Sequence, residues 1–267
     1  MLRLPAVAGQ FYMASPEELR HQVSTCLEAT TVKEKAMAVI SPHAGLIYSG
    51  KVAGKVYSRL ALPRTFVMIG PNHTGRGAPI SIFSKGEWQM PQGKIEVGSA
   101  LAAQILERFP LAEPDTQAHQ SEHCLEMQLP FLQYWMGEMR IVPIVMMRSD
   151  LSTCRQLGSA IAAAIRESPE PVLLIASTDM SHYEPDEIAR QKDDMAIKKI
   201  LALEPPGLHA TVRQHRISMC GCDPTVTVLF ATLEMGAFQA ELVHYMTSAE
   251  VTGDYENVVG YAGIIIK

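Results

Sequence analysis

The sequence predicts an α/β sandwich with a largely parallel central sheet, folded as a single domain over residues 1–267. Short apolar runs rich in β-branched residues alternate along the chain with amphipathic stretches of helical spacing. Strands that are apolar throughout are typical of a sheet covered by helices on both faces. No internal repeat, low-complexity tract or linker rich in glycine, serine or charge divides the chain.

The composition is that of a folded globular protein. The 267 residues are 47% hydrophobic and 19% charged, which excludes a disordered or collagen-like chain. The net charge is -5 and no basic run is present, so we expect no nucleic-acid partner. The longest apolar runs are far shorter than the roughly 18 residues of a membrane span, and the N-terminus lacks a signal peptide's apolar core. We therefore expect a cytoplasmic protein without a membrane partner.

The predicted elements follow from hydrophobic periodicity and from helix start signals. Six apolar runs are predicted strands, the last two antiparallel at an edge: Ala36–Ser41, Thr65–Gly70, Arg140–Met146, Val172–Ser177, Ala240–Met246 and Val258–Ile266. The predicted helices are Gly50–Leu60, Ser99–Phe109, Leu151–Ile165, Pro185–Leu203 and Thr225–Met235. Ser149 or Asp150 is the expected N-cap of the third helix, whose Cys154 lies on the apolar stripe and is expected to be buried.

A histidine follows each of three predicted strands. His43 lies in Ser-Pro-His-Ala-Gly, His73 in Gly-Pro-Asn-His-Thr-Gly, and His182 in Asp-Met-Ser-His-Tyr. Ligands of open α/β sheets bind outside the carboxyl ends of the strands, so the sequence predicts a histidine-rich site at that edge. His43 and His73 are candidate metal ligands, because a neutral imidazole binds zinc, iron, copper or nickel through a ring nitrogen.

Asp179 and His182 lie three residues apart directly after a strand. We favour His182 as a general acid/base oriented by a carboxylate, because the pKa of histidine lies near neutrality. Asp179 alternatively serves as a metal ligand or as the N-cap of the following helix.

His123 and Cys220 are each open to more than one interpretation. His123 follows Ser121 and Glu122, which either begin a helix or place His123 in the cleft. Pro130 implies that this helix kinks or restarts. Cys220 precedes a predicted helix, where the pKa of a thiol is lowered, and it is a candidate thiolate ligand, nucleophile or inert thiol.

Together the motifs resemble the Memo family, also called AmmeMemoRadiSam system protein B. The resemblance covers essentially the whole chain and rests on Arg3–Tyr12, Ser41–Gly45, Tyr48–Gly50, Gly70–Thr74, Ser121–His123, Leu125–Glu126, Gln128–Leu132, Asp179–Tyr183, Cys220–Gly221 and Val258–Tyr261. It implies the fold of the class III extradiol ring-cleaving dioxygenases, an α/β sandwich around a non-haem iron site.

The resemblance also implies roles for individual residues. The metal ligands are His43, His73 and Cys220, with His182 as the acid/base group and with Asp179 and His123 lining the cleft. Where the dioxygenases have a carboxylate ligand this chain has Cys220, and a thiolate suits copper as well as iron. The family association further implies radical SAM and AMMECR-type proteins as partners.

Three functions are compatible with these residues. The first is a non-haem iron (or copper) redox protein, a dioxygenase-like oxidoreductase acting on a small molecule. The second is a non-catalytic module that binds a peptide or a partner protein in the same cleft. The third is metal-independent nucleophilic catalysis by Cys220 with His182 and Asp179. The third ranks last, because it does not require His43 and His73 to converge.

Overall fold

A computed structural model describes residues 1–30 and 32–267 of the chain. The strands of this described part are β1 (Leu2–Arg3), β2 (Ala38–Ser41), β3 (Thr65–Pro71), β4 (Ile80–Ile82), β5 (Glu87–Met90), β6 (Gly93–Val97), β7 (Glu113–Pro114), β8 (Arg140–Met146), β9 (Val172–Ser177), β10 (His182–Glu184), β11 (Ala240–Thr247) and β12 (Val258–Ile266). The helices are α1 (Pro16–Cys26), α2 (Leu46–Ser58), α3 (Ser99–Arg108), α4 (Leu129–Trp135), α5 (Leu151–Arg166), α6 (Asp186–Leu201), α7 (Pro205–Gln214), α8 (Cys222–Glu234) and α9 (Ala249–Thr252).

The strands of the described residues form one mixed sheet. Its order is β1-β5-β6-β8-β3-β9-β2-β12-β10, with β11 beside β12, β4 beside β8 and β7 beside β4. The five central strands, β6, β8, β3, β9 and β2, run parallel to one another. Strand β12 is antiparallel to both β2 and β11. The predicted α/β fold with a largely parallel sheet and antiparallel terminal strands is confirmed.

Both faces of the sheet are buried under helices. Alternate residues of each central strand face opposite sides of the sheet and so pack in different cores. In β3, Val67 and Ile69 pack in a core with residues of α3, α5, α6, α7 and α8. Phe66 and Met68 pack on the other side with residues of α1, α2 and α4. Cys154 is fully buried in the first core, as its position on the apolar stripe predicts. This two-sided burial explains why the central strands are apolar throughout.

Helix α2 begins at Leu46, four residues before the predicted start at Gly50. The glycines of this helix serve close packing and do not mark its boundary. A Cβ on Gly50 would lie 2.7 Å from Cys26 Sγ, and one on Gly54 would lie 2.1 Å from the Cys26 carbonyl oxygen. The sequence predicts neither the helices α1, α7 and α9 nor the short strands β1, β4–β7 and β10, because short or polar segments give little periodic signal.

Other local signals are confirmed. The Asp150 side chain caps α5 by accepting a hydrogen bond from the Thr153 N–H at 2.7 Å. Pro130 lies in the first turn of α4, so the helical segment restarts there as predicted. None of the helices in the described part of the chain is long and apolar enough to cross a membrane.

The sheet order brings together the loops that carry the histidines. Strands β2, β9 and β3 are adjacent and parallel, and Ser41 pairs in register with Ser177. Because parallel strands end at the same edge, the loops after β2, β3 and β9 leave the sheet side by side. The predicted convergence of the three loops at one edge is confirmed.

Candidate metal centre

Three histidine rings meet at this edge. The centroids of His43 and His73 are 5.2 Å apart, and those of His43 and His123 are 5.4 Å apart, both edge to face. The His73 and His123 rings stack at 4.9 Å. One ring nitrogen of each lies within 4.8 Å of one from both of the others, which is close enough for the three to surround one ion.

A buried polar network orients His43. Ser177 Oγ donates to the Cys124 carbonyl at 2.7 Å, so its lone pairs accept from Gln128 Nε2 and from His43 Nδ1, each at 2.9 Å. Gln128 is itself fixed, because its Nε2 also donates to the Pro42 carbonyl and its Oε1 accepts from the Tyr57 hydroxyl. His43 therefore carries its proton on Nδ1, and Nε2 has the free lone pair that a metal requires.

A carboxylate performs the same task for His73. Glu122 Oε1 accepts from His73 Nδ1 at 2.9 Å, and Oε2 accepts from the His73 backbone N–H at 2.6 Å. The Glu122 carboxylate also accepts the backbone N–H groups of His123 and Cys124. A histidine that donates one ring N–H to a carboxylate presents its other nitrogen as a ligand. His73 thus also presents Nε2.

The pKa values of His43 and His73 are shifted in opposite directions. Burial, reinforced by the neighbouring histidines, lowers the pKa of His43 well below its usual value. Burial alone would lower the pKa of His73 too, but the hydrogen bond and charge of Glu122 outweigh it and raise that pKa. Burial opposes ionisation of Glu122, yet His73 and the backbone donors hold its pKa at about 2. His43 is therefore the better preformed neutral ligand.

Cys220 lies next to His43 on the other side of the site. Its Sγ is 3.3 Å from His43 Nε2 and accepts from the Asp179 N–H at 3.3 Å. Ligands at 2.1 and 2.3 Å from a shared ion are themselves about 3.1–3.6 Å apart, so this separation fits a shared ion. Two groups of the described residues have ligand atoms that all lie within 4.8 Å of one another, namely His43, His73 and His123, and His73, Glu122 and Cys124. Cys220 belongs to neither of these groups.

The expectation of a lowered thiol pKa at Cys220 is wrong. Burial and the nearby Asp179 carboxyl raise the pKa of Cys220 to about 12, because both oppose a thiolate. Cys220 also precedes α8 by two residues and is not in its first turn. Gly221 permits the close approach of this loop to β9, since a Cβ there would lie 2.5 Å from the Ser177 carbonyl oxygen. A metal-free Cys220 is thus a neutral thiol, which disfavours the nucleophile hypothesis.

Asp179 and His182 are close to the site but do not orient each other through a hydrogen bond. Asp179 Oδ1 accepts from the His43 backbone N–H at 2.8 Å, and burial raises the pKa of Asp179 to about 6. His182 Nδ1 donates to the Ser218 carbonyl at 3.0 Å, and the His182 backbone N–H donates to the Ser218 hydroxyl at 2.7 Å. Asp179 does not cap α6 either, whose N-cap is Pro185. The expected carboxylate partner of His182 is replaced by a backbone carbonyl.

Sequence reasoning missed three residues that orient the site. Glu122 resembled part of a helix start, whereas the segment forms a turn and a short 3-10 helix before α4. Ser177 and Gln128 were not considered as partners of a histidine. Their only sequence signal is position, because Ser177 ends a strand that points at the site and Gln128 lies five residues after His123.

Comparison with known proteins shows the family of this chain. A family model described as "Memo-like protein" matches residues 3–265. The chain belongs to the Memo family. A MEMO1 family protein of Methanopyrus kandleri is 42% identical over 281 residues, covering 100% of this chain and 99% of that protein. A MEMO1 family protein of Aquifex aeolicus is 41% identical over 266 residues, covering 99% and 98%.

A solved structure supports the fold of this Memo family chain. The crystal structure of an uncharacterized protein of Escherichia coli K12 superposes with a TM-score of 0.59 and covers 86% of this chain and 100% of that protein. The sequence identity is 14%, so this likeness concerns the fold alone. The assignments of His43, His73 and Cys220 as ligands, and of His182, Asp179 and His123 as catalytic residues, stay predictions.

Proposed function

We propose that this Memo family protein binds non-haem iron, or alternatively copper, through His43, His73 and Cys220 and is a redox enzyme. The observation that carries the proposal is the 3.3 Å approach of Cys220 Sγ to His43 Nε2, the nitrogen whose lone pair Ser177 leaves free. Two imidazoles and one anionic ligand leave open positions for O₂ or substrate. A bound iron or copper ion supplies one-electron and O₂ chemistry.

The surrounding residues have distinct tasks in this proposal. Ser177 and Glu122 hold His43 and His73 in the tautomers that expose Nε2, and such partners typically change metal affinity about 10–100-fold. His182 donates from Nδ1 to the Ser218 carbonyl, so its Nε2 is free to accept a proton from a substrate. Asp179 and His123 line the cleft and complete its polar wall. A cysteine ligand binds only after losing its proton, so metal binding releases that proton.

A second ligand set is favoured by a separate observation. His43, His73 and His123 have ligand atoms within 4.8 Å of one another. This set contains no thiol, so no cysteine has to lose its proton before the metal binds. In this alternative Cys220 lies beside a trihistidine site and does not bind the ion. The two sets differ in the presence of a sulfur ligand, which an absorption spectrum detects.

Anaerobic purification followed by elemental analysis tests the proposal. Iron and copper per chain are measured in wild type, His43→Ala, His73→Ala, Cys220→Ser and His123→Ala, with His21→Ala on the exposed face of α1 as the matched control. We expect His43→Ala and His73→Ala to lose the metal and the control to retain it. Loss in Cys220→Ser, with disappearance of a thiolate-to-Co(II) charge-transfer band in cobalt-loaded protein, supports the sulfur ligand. Loss of metal in His123→Ala, with metal retained in Cys220→Ser, supports the trihistidine set.

Other outcomes contradict the proposal. Equal metal content and equal metal affinity in all these variants would show that these residues do not bind the metal. A folded wild type that binds neither iron nor copper would favour the non-catalytic binding module.

The role of His182 has its own test. We expect His182→Ala to retain the metal and to lose about 10²–10⁴-fold in turnover, measured as O₂ uptake with a panel of catechols. Loss of metal in this variant would instead make His182 a ligand. Undiminished turnover in a folded, metal-containing variant would remove the acid/base role.

A further inference from the structure

A cavity of about 480 Å³ adjoins the candidate metal centre, with His73 and Cys220 in its wall. This volume lies in the range of small-molecule sites, roughly 300–1,000 Å³. Met146, Met147 and Ile217 provide an apolar wall. The cavity is thus shaped for a compact ligand with an apolar body, one end of which lies near the metal centre.

The charged groups of the cavity wall are unbalanced. Three arginines line it, namely Arg148, Arg213 and Arg216, against the single carboxylate of Asp223. Asp223 is already engaged, since Oδ2 accepts from the Ser149 N–H at 2.8 Å and Oδ1 lies 3.6 Å from Arg213 Nη2. Within residues 1–30 and 32–267, neither Arg148 nor Arg216 forms an ion pair. Two guanidinium groups therefore lack a counter-charge.

The backbone at Arg216 has a defined conformation at the edge of the cavity. Helix α7 ends in a Schellman motif, in which the Ile217 N–H donates to the Val212 carbonyl at 2.9 Å. The position that must be left-handed in this motif, usually glycine, is occupied by Arg216 with a φ of 50°. The motif fixes the backbone of Arg216 and so holds the base of its side chain at the cavity wall.

We propose that this cavity binds a small organic anion, a carboxylate or a phosphate ester, through Arg148 and Arg216. The apolar body of the anion lies against Met146 and Met147, and its other end reaches toward His73 and Cys220. Arg213 holds the loop in place, since its Nη2 donates to the Ser149 carbonyl at 2.7 Å. This inference rests on the proposed function and names an anionic class of substrate for it.

Isothermal titration calorimetry with defined probes tests the inference. Benzoate, phenyl phosphate and the neutral benzyl alcohol are titrated at millimolar concentration into metal-free and iron-loaded protein. We expect saturable binding of at least one anion to both forms and much weaker binding of benzyl alcohol. Binding of benzoate alone, of phenyl phosphate alone or of both identifies the anionic group that the arginines select.

Three variants separate the guanidinium groups from general effects of charge and stability. Arg148→Gln and Arg216→Gly should each weaken anion binding about tenfold or more, because each removes a charge-assisted hydrogen-bond donor. Arg216→Gly should also have a melting temperature equal to or about 2 °C above wild type, because glycine tolerates the left-handed backbone. Arg20→Gln, an identical change of charge on the exposed face of α1, should bind the anions as wild type does.

The inference is overturned by no saturable binding of either anion, by equally tight binding of benzyl alcohol, or by an equal loss of binding in Arg20→Gln. Failure of the proposed function is distinguishable from these results. Metal content is measured on the same preparations, and a protein that binds the anion but no metal retains the anion site while losing the proposed metal centre. His43→Ala should lose metal and keep anion binding, whereas Arg216→Gly should do the reverse.

Discussion

Glu122 and Glu126 lie four residues apart on one buried segment but belong to different regions of the molecule. Glu122 faces the histidine cleft (His43, His73, His123 and Cys220) and accepts from His73 Nδ1. Glu126 faces the N-terminal clasp (Arg3, Tyr12, Trp88 and Glu126), where Arg3 Nη1 donates to it at 2.6 Å. Both carboxylates accept several further hydrogen bonds, so neither is an unpaired buried charge.

The difference lies in whether the partner can change its protonation or bind a metal. Arginine has only N–H donors and no lone pair for a metal, so the Arg3–Glu126 ion pair serves the fold alone. That pair ties the chain start to the segment, because Glu126 also accepts the Ala6 and Val7 N–H groups. His73 exchanges protons and has a second nitrogen for an ion. The same residue type therefore stabilises the fold in one region and prepares a ligand in the other.

The largest expected effect is the loss of the clasp. Glu126→Leu leaves the Arg3 charge buried without its counter-charge, which should lower the free energy of unfolding by about 3–5 kcal/mol. Urea denaturation measures this change, and metal per folded chain should stay as in wild type. The double variant Arg3→Met/Glu126→Leu should recover at least half of the loss. A loss in Glu126→Leu below about 1 kcal/mol would contradict the role assigned to the clasp.

The second prediction uses His119, whose carbonyl accepts from Arg3 Nε. Its ring is fully buried against Phe83 and Trp88, and burial, with the charge of Arg3, lowers its pKa to about 3. Between pH 6.5 and 3 the unfolded chain binds a proton that the folded chain does not. Stability therefore falls as the pH falls, by about 3 kcal/mol at pH 4 from this group.

His119→Phe should remove this part of the acid sensitivity, because phenylalanine has no proton to gain. Urea denaturation at pH 7 and pH 4 measures it, with His21→Phe on the exposed face of α1 as the control. We expect equal or higher stability of His119→Phe at pH 7 and a smaller loss at pH 4. An unchanged pH dependence would show that the ring is protonated in the folded state.

The third prediction concerns the cleft-side glutamate. Glu122→Gln removes the negative charge that holds His73, so the pKa of His73 should fall and the stability should fall by about 1–3 kcal/mol. Metal affinity should fall about 10–100-fold, measured by titration with Co(II). Glu126→Gln is the matched control in the clasp and should leave the affinity of folded protein unchanged. Equal metal affinities in the two variants would show that Glu122 has no greater role in metal binding than Glu126.

The smallest effects come from deleting one hydroxyl in each region. Tyr12→Phe removes a donor to Glu126, and Ser177→Ala removes the acceptor of His43 Nδ1. Each should cost about 1 kcal/mol of stability. Only Ser177→Ala should also weaken metal binding, because without the Ser177 hydroxyl the proton of His43 is no longer held on Nδ1. A loss of metal affinity in Tyr12→Phe of the same size would show that the two regions are coupled.

The sequence predicts the central strands well and the orienting contacts poorly. Arg140–Met146 and Val172–Ser177 were predicted with the bounds that the structure has, because burial on both faces makes them apolar throughout. The Ser121–Glu126 segment was ambiguous, because serine and glutamate before apolar residues are also typical of a helix start. Only folding reveals that Glu122 accepts from His73.

The order of residues is enough to predict the α/β class, the family and the edge of the sheet at which His43 and His73 meet. These features depend on local periodicity and on short motifs, which are read along the chain. The tertiary structure alone decided which ring nitrogen is free and why the pKa of Cys220 is raised. His43 and Ser177 are 134 positions apart, and His73 and Glu122 are 49 apart. Hydrogen bonds and burial between such distant residues exist only after the sheet has assembled, so no local pattern records them.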